Sequence, residues 1–200
     1  MADLDDAADE TLIGRIARGD WEAFDVLYRR RRRDVYRFAV LVSGSPSIAE
    51  DVTQDVFVEV IHHAARFQPD RARVVPWLFG ITRNHVLRAV RRQRTVVPLA
   101  DVESLAPAAL AIDVDPLADV ERDRHIAALR RAVLELPVKY REAVVLCDLQ
   151  ELSYHDAAAA LGCAIGTVRS RLHRGRVLLA SRLRSANEGY VRTPLARWIV

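Results

Sequence analysis

Between Gly162 and Ala186 the chain carries six arginines, one histidine and no acid. Read as a helix, this stretch turns Thr167, Arg169, Ser170, His173, Arg174 and Arg176 away from an apolar stripe of Ile165, Val168, Leu172 and Leu179. A helix fits the major groove of DNA, and residues in its first turns reach base edges there. One arginine can donate two hydrogen bonds to a guanine, worth about 1–3 kcal/mol of discrimination. Thr167, close to the helix start where backbone amides are unpaired, suits a phosphate. The plainer reading is a solvated basic face on a core helix. A short helix, a glycine turn and a one-sided arginine face occurring together favour nucleic acid.

Other clusters say less on their own. Arg88, Arg91, Arg92 and Arg94 form a second basic run, but a basic helix end also complements the helix dipole. Arg29 to Arg33 are consecutive, so they circle a helix and some must face solvent or a partner. Asp51, Asp55 and Glu59, spaced by four, line one helix face. Without a matching histidine cluster they fit a protein-docking or solvated face better than acid–base chemistry or a metal. His62 and His63 are adjacent and point apart on a helix. No phosphate-binding glycine loop, nucleophile motif or HExxH pattern occurs. The expectation is therefore a non-enzyme with no cofactor and no metal.

The elements that must position these residues are all helical by pattern. Asp20 can cap a helix whose Trp21, Phe24, Leu27 and Tyr28 repeat at spacings of three and four. The pattern runs through Val35, Phe38, Ala39 and Val42 and breaks at SGSPS (43–47). Ser47 with Glu50 predicts a capping box for the next helix, whose stripe is Val52, Val56, Val60 and Ile61. Residues 67–75 read as a loop, and Pro76 opens a helix carrying Trp77, Leu78, Ile81, Val86 and Leu87. Ile126, Leu129, Val133 and Leu136 mark another helix, ended at Pro137, and Tyr140, Val144, Val145 and Leu149 the one after. Ser153 with Asp156 predicts a capping box, and Gly162 the left-handed residue that ends a short helix.

Residues 95–119 hold three prolines, many Ala and Asp, and no base, as expected of a flexible linker. The fold class is thus all-α, two small helical domains over 10–94 and 120–186. The helix-turn-helix lies at about 153–173, and a C-terminal tail of unknown role over 187–200. Net charge is +3 with a pI near 9.2, which alone decides little. Its distribution says more, because residues 1–10 carry five acids and no base. Cys147 and Cys163 lack a CxxC arrangement and read as buried free thiols. With no basic-then-apolar leader and no run near the ~18 apolar residues of a membrane span, a reducing cytoplasm and no membrane insertion are expected.

Two blocks together resemble a known family. LELPVKYREAVVLCDLQELSYHDAAAALGCAIGTVRSRLHRGRVLL (134–179) resembles region 4 of bacterial RNA polymerase sigma factors of the extracytoplasmic-function (ECF) group. GDWEAFDVLYRR (19–30), AEDVTQDVFVEV (49–60) and VPWLFGITRNHVLRAVRRQR (75–94) resemble region 2. The resemblance implies an alternative sigma factor that joins core RNA polymerase, directs it to promoter DNA, starts melting and answers to an anti-sigma factor. It implies that Asp51, Gln54, Asp55, Phe57 and Glu59 dock on core polymerase. It further implies that Arg73, Trp77, Arg83, Asn84, Arg88 and Arg91 handle the −10 element, where an extruded base can be held in a pocket at a cost of a few kcal/mol. Arg169, Ser170, His173 and Arg174 would read the −35 element, with Thr167 and Arg171 nearer phosphates.

The chain departs from the family where Ala164 stands in place of a Ser or Thr-like cap, at a cost of about 1 kcal/mol. The alanines at 157–160 replace larger residues and imply thin packing under the recognition helix. The tail, with Trp198, Ile199 and Val200, lies outside the resemblance and could pack on a domain or a regulator. Two other readings stay open. One is a transcription regulator binding DNA alone, which would not need the 49–94 block. The other is an interaction module using its basic face on an acidic partner.

Overall fold

The computed structural model describes residues 4–70, 72–96 and 120–186. Their regular structure is helical: α1 (Asp9–Ile16), α2 (Trp21–Ser43), α3 (Pro46–His63), α4 (Val74–Val96), α5 (Val120–Leu134), α6 (Val138–Val144), α7 (Tyr154–Leu161) and α8 (Ile165–Ala186). A π-helical turn, Val145–Leu149, carries α6 toward α7. The expected linker falls almost wholly at 97–119, outside the described residues, as does the 187–200 tail with Trp198, Ile199 and Val200.

Local side chains cap the starts of α2, α3 and α7. Asp20 accepts hydrogen bonds from the amides of Glu22 and Ala23, both at 3.1 Å. The Ala23 amide and then the Arg15 guanidinium hold its carboxyl below the usual carboxylate range. Helix α2 ends at Gly44, whose φ of 77° is the left-handed conformation that favours glycine. The arginine run within α2 is partly absorbed by the acidic N-terminus. Arg30 and Arg31 both grip the buried Asp9 carboxylate, at 2.5 and 2.6 Å. Arg30 also donates to the carbonyls of Ala7 and Asp5.

Two starts differ from expectation. The cap of α3 is Ser45, not Ser47: its hydroxyl accepts from the Ile48 amide at 3.3 Å. Pro46 then occupies the first helical position, where its fixed φ fits and its missing N–H costs nothing. Helix α4 begins at Val74, two residues before Pro76. The Val74 amide donates to Glu10 Oε1 of α1 at 3.2 Å, so this cap comes from a distant part of the chain.

In the C-terminal half, Ser153 Oγ accepts from the Asp156 amide at 3.1 Å and donates to the Asp156 carboxylate at 2.8 Å. Gly162 (φ 61°) closes α7. The amides of Thr167 and Val168 donate to the Ala164 carbonyl, so α8 starts on backbone contacts where an alanine side chain offers none. A Cβ at Gly175 would stand 2.7 Å from Val144 Cγ2, so only glycine lets α8 lie this close to α6. Cys147 and Cys163 are free and half-buried. Burial, and then the neighbouring Asp148, push the Cys147 thiol up to about 11.

The main apolar cluster crosses from one half of the chain to the other. It joins Leu12, Leu27, Phe38 and Val56 to Val133, Leu146, Ala157 and Val168. A smaller cluster of Leu136, Ala143, Val144 and Leu172 sits between α6 and α8. The alanines of α7 serve the first cluster. Ala157, Ala158 and Ala160 are buried while Ala159 is exposed, and α7 packs along α4.

Candidate nucleic-acid interface

Helix α8 keeps its basic face open. Val168 and Leu172 are buried, and Arg169, Ser170, His173 and Arg174 are exposed on the other side. Ile165, expected in the buried stripe, is instead 38% exposed at the helix start, three residues before Val168, the first buried residue of α8. Thr167 and Arg171 are half-buried on the flanks. The face is braced by neighbours. The Arg169 guanidinium lies over the Tyr154 ring, 5.9 Å from its centroid. Arg174 hydrogen-bonds Tyr140 and holds its phenol pKa below the usual tyrosine value. Arg176, read from sequence as part of the outward face, is a structural residue. It grips the Asp148 carboxylate through two nitrogens at 2.6 and 3.1 Å. Arg171 points to the flank where Glu142 sits.

Of the six residues expected at the −10 element, five lie on α4. Trp77, Asn84, Arg88 and Arg91 recur at intervals of seven, four and three and therefore share one face. Asn84, Arg88 and Arg91 are exposed on it. Trp77 tilts against Phe67, with ring centroids 5.1 Å apart, at the edge of a cleft of about 300 Å³. Glu59, His63, Arg66 and Ile81 complete that cleft. Arg83 lies on another flank and donates to Glu142 at 2.8 Å. Arg73, just before α4 and 76% exposed, donates to Asp156 at 3.0 Å. The Phe67 ring was not assigned to this site from sequence, because nothing in a linear pattern shows two aromatic rings meeting across a loop.

On α3, Asp51, Gln54 and Asp55 are exposed and Glu59 is half-buried. His85 of α4 reaches over to Glu59 (2.6 Å) and Asp55 (3.6 Å). Phe57 is 2% exposed and packs edge-on against Tyr28 at 4.8 Å, so it supports this face from inside and offers no surface of its own. The apolar group on the face is Val58, 52% exposed. It follows Asp51, Gln54 and Asp55 by seven, four and three residues, a spacing that was available from the sequence. Trp21, 68% exposed at the start of α2, is a second uncovered apolar group.

Comparisons with known proteins identify the family. The family profile described as Sigma-70 region 2 matches residues 27–96, and the one described as Sigma-70, region 4 matches 126–179. The chain is 38% identical over 182 residues to the ECF RNA polymerase sigma factor SigM of Mycobacterium tuberculosis, covering 91% of this chain and 88% of that protein. It is 39% identical over 165 residues to the ECF RNA polymerase sigma factor SigE of Mycolicibacterium smegmatis, covering 80% of this chain but 62% of that longer protein. Among solved structures it resembles CnrH in complex with the cytosolic domain of CnrY, at a TM-score of 0.68 and 26% identity, covering 90% of this chain and 99% of that one. It resembles equally the sigma factor RpoE in complex with the anti-sigma factor NepR from Bartonella quintana, at a TM-score of 0.68 and 28% identity, covering 80% and 96%.

Proposed function

The chain belongs to the ECF group of RNA polymerase sigma factors, and from that premise we propose how its surfaces divide the work. It acts as an alternative sigma factor, joining core RNA polymerase, directing it to promoters and starting their melting. The observation that carries the division of labour is the separation of three surfaces. These are an acidic face on α3, a basic and aromatic face on α4, and a basic face on α8. Domain boundaries follow as 10–94 for core and −10 binding and 120–186 for −35 binding.

Asp51, Gln54 and Asp55, with Val58 on the same face at their C-terminal end, form the docking surface for core polymerase, with Glu59 and the buried Phe57 holding it in shape. Acids beside one exposed apolar group suit a basic partner surface, because charge steers the encounter and the apolar group supplies contact area. On α4, Asn84, Arg88 and Arg91 meet the −10 strand. The Trp77–Phe67 cleft is large enough to hold one extruded base against an aromatic ring, and such stacking is worth about 1–3 kcal/mol. On α8, Arg169, Ser170, His173 and Arg174 read the −35 bases while Thr167 and Arg171 stand nearer phosphates.

The family consists of transcription initiation factors, and the chain works by binding, without catalysis of its own. Its regulation by an anti-sigma factor is supported by the RpoE–NepR complex among its structural neighbours. Among the described residues no helix is long and apolar enough to cross a membrane, and work on core polymerase is in keeping with a cytoplasmic setting. Run-off transcription with purified core polymerase, followed by genome-wide mapping of start sites, tests the function. Specific starts that appear only when both are present are expected; transcription unchanged by adding the chain would refute it.

A further inference from the structure

His85 belongs to neither the docking face nor the −10 face, yet it lies between them. It follows Asn84 on α4, and its side chain is 17% exposed. Its Nε2 stands 2.6 Å from Glu59 Oε2, and its Nδ1 3.6 Å from Asp55 Oδ2. Both carboxylates come from the α3 face assigned above to polymerase. Asp55 is 65% exposed, so a partner can reach it from solvent while His85 meets it from the α4 side.

The two ring nitrogens are not equivalent here. A neutral imidazole has one N–H and one lone pair. The short contact to Glu59 places the N–H on Nε2, so in the neutral ring Nδ1 offers Asp55 a lone pair. A proton taken from water at Nδ1 makes both nitrogens donors and turns the Asp55 contact into an ion pair. Other charges surround the ring. Arg88 and Arg92 line a cleft of about 420 Å³ with Asp51, Asp55 and His85, but among the described residues they pair with neither acid. Beyond Glu59, His63 Nδ1 is 3.8 Å from Oε1, and Arg66 lines the cleft on that side. His63 meets Glu59, whereas His85 spans Glu59 and Asp55.

We propose that His85 is a positioning residue for polymerase docking, holding Asp55 and Glu59 from α4 and setting by its own charge how negative the α3 face is. This rests on the assignment of that face to core polymerase. With the ring neutral, the charges of Asp51, Asp55 and Glu59 are all left for a basic partner. With Nδ1 protonated, one of them is offset within the chain, and a cation of the partner competes with His85 for Asp55. Charge complementarity steers docking, so the face attracts its partner better above the ordinary titration range of histidine than below it.

Equilibrium titration of the full chain against core polymerase, from about pH 5.5 to 8, tests this. The unaltered chain is expected to bind about three- to fivefold more weakly at the acid end. His85→Gln keeps a neutral donor and should bind throughout as the unaltered chain does at the alkaline end. His85→Arg carries a fixed charge and should stay weak throughout. A slope common to all three chains belongs to polymerase, so the role of His85 is read from the differences between them. Parallel profiles for the unaltered chain and His85→Gln, or a loss in His85→Gln by one factor at every pH, would overturn it. Asp51→Arg, titrated beside them, separates the two readings. If it loses docking while the profiles stay parallel, the role of His85 alone fails. If it docks undiminished, the face assignment fails and the role of His85 with it. Should thermal melting show His85→Gln unfolded, Asp55→Asn replaces it and should flatten the profile, because it removes the acid that the Nδ1 proton meets; an unflattened profile overturns the role.

Discussion

Helices α4 and α8 are of similar length, and both carry arginines and an apolar stripe, yet they present them differently. On α8 the residues on the open face are braced by aromatic neighbours, Tyr154 under Arg169 and Tyr140 against Arg174, while Arg176 on the flank is held by Asp148. On α4 the cations are sorted, with Arg88 and Arg91 outward and Arg83 held on a buried acid. The lesson is that an arginine's role follows from what faces it. An aromatic ring supports the side chain and leaves its charge available, whereas a buried carboxylate consumes it.

The largest effect that would sharpen this contrast lies in the packing under each helix. Gly175→Leu forces a side chain into Val144 and Tyr140 and should cost about 3 kcal/mol or more, since overpacking without room to relax is strongly destabilising. Gly80→Ala meets only ordinary contacts and gains helix propensity, so its net effect should lie within about 1 kcal/mol. Chemical denaturation of both variants checks the difference, and equal losses would break it.

Next come the base-reading arginines. Arg169→Ala and Arg174→Ala should each cost about 1–3 kcal/mol on −35 promoter DNA and less on unrelated sequence. Competition binding by holoenzyme measures this, and equal loss on all sequences would reduce both residues to phosphate contacts. A smaller gain is expected from Ala164→Ser, which supplies α8 with the side-chain cap it lacks. It should add about 1 kcal/mol to thermal stability, with no counterpart on α4, where Glu10 already serves.

The smallest effect concerns the acid that separates the two helices. Burial raises Glu142 above the ordinary carboxylate value despite the opposing pull of Arg83. The folded chain therefore holds more protons than the unfolded chain just above that ordinary value. Stability from this group is full below the unfolded pKa and is lost as pH rises through the folded one. Denaturation of Glu142→Gln beside the unaltered chain should show a shallower fall over that window. An unchanged slope would assign the pH dependence to other groups.

Parts of this were legible in advance because they depend on near neighbours in sequence. The Asp20 cap, the Ser153–Asp156 box, the Gly162 turn and the buried Val168 and Leu172 each need only a few consecutive residues. Other features needed distant partners. The Val74 amide finds Glu10, Phe57 disappears under Tyr28, and Trp77 forms a cleft with Phe67. Val58 was an intermediate case, since its angular position among the acids was countable but its lack of cover was not.

The amino-acid order by itself determined the helices, their amphipathic faces, the arginine-rich face of α8 and the acidic face of α3. These follow from backbone periodicity, capping chemistry and charge spacing, all of them short-range. Tertiary structure alone decided which arginines are spent and which are free. Glu142 and Asp156 reach Arg83 and Arg73 across separations of 59 and 83 residues. The alanines of α7, which as a string suggest weak packing, become in three dimensions the surface on which α4 rests. Such outcomes depend on the shape of two packed helices, and a residue's own type and neighbours do not encode them.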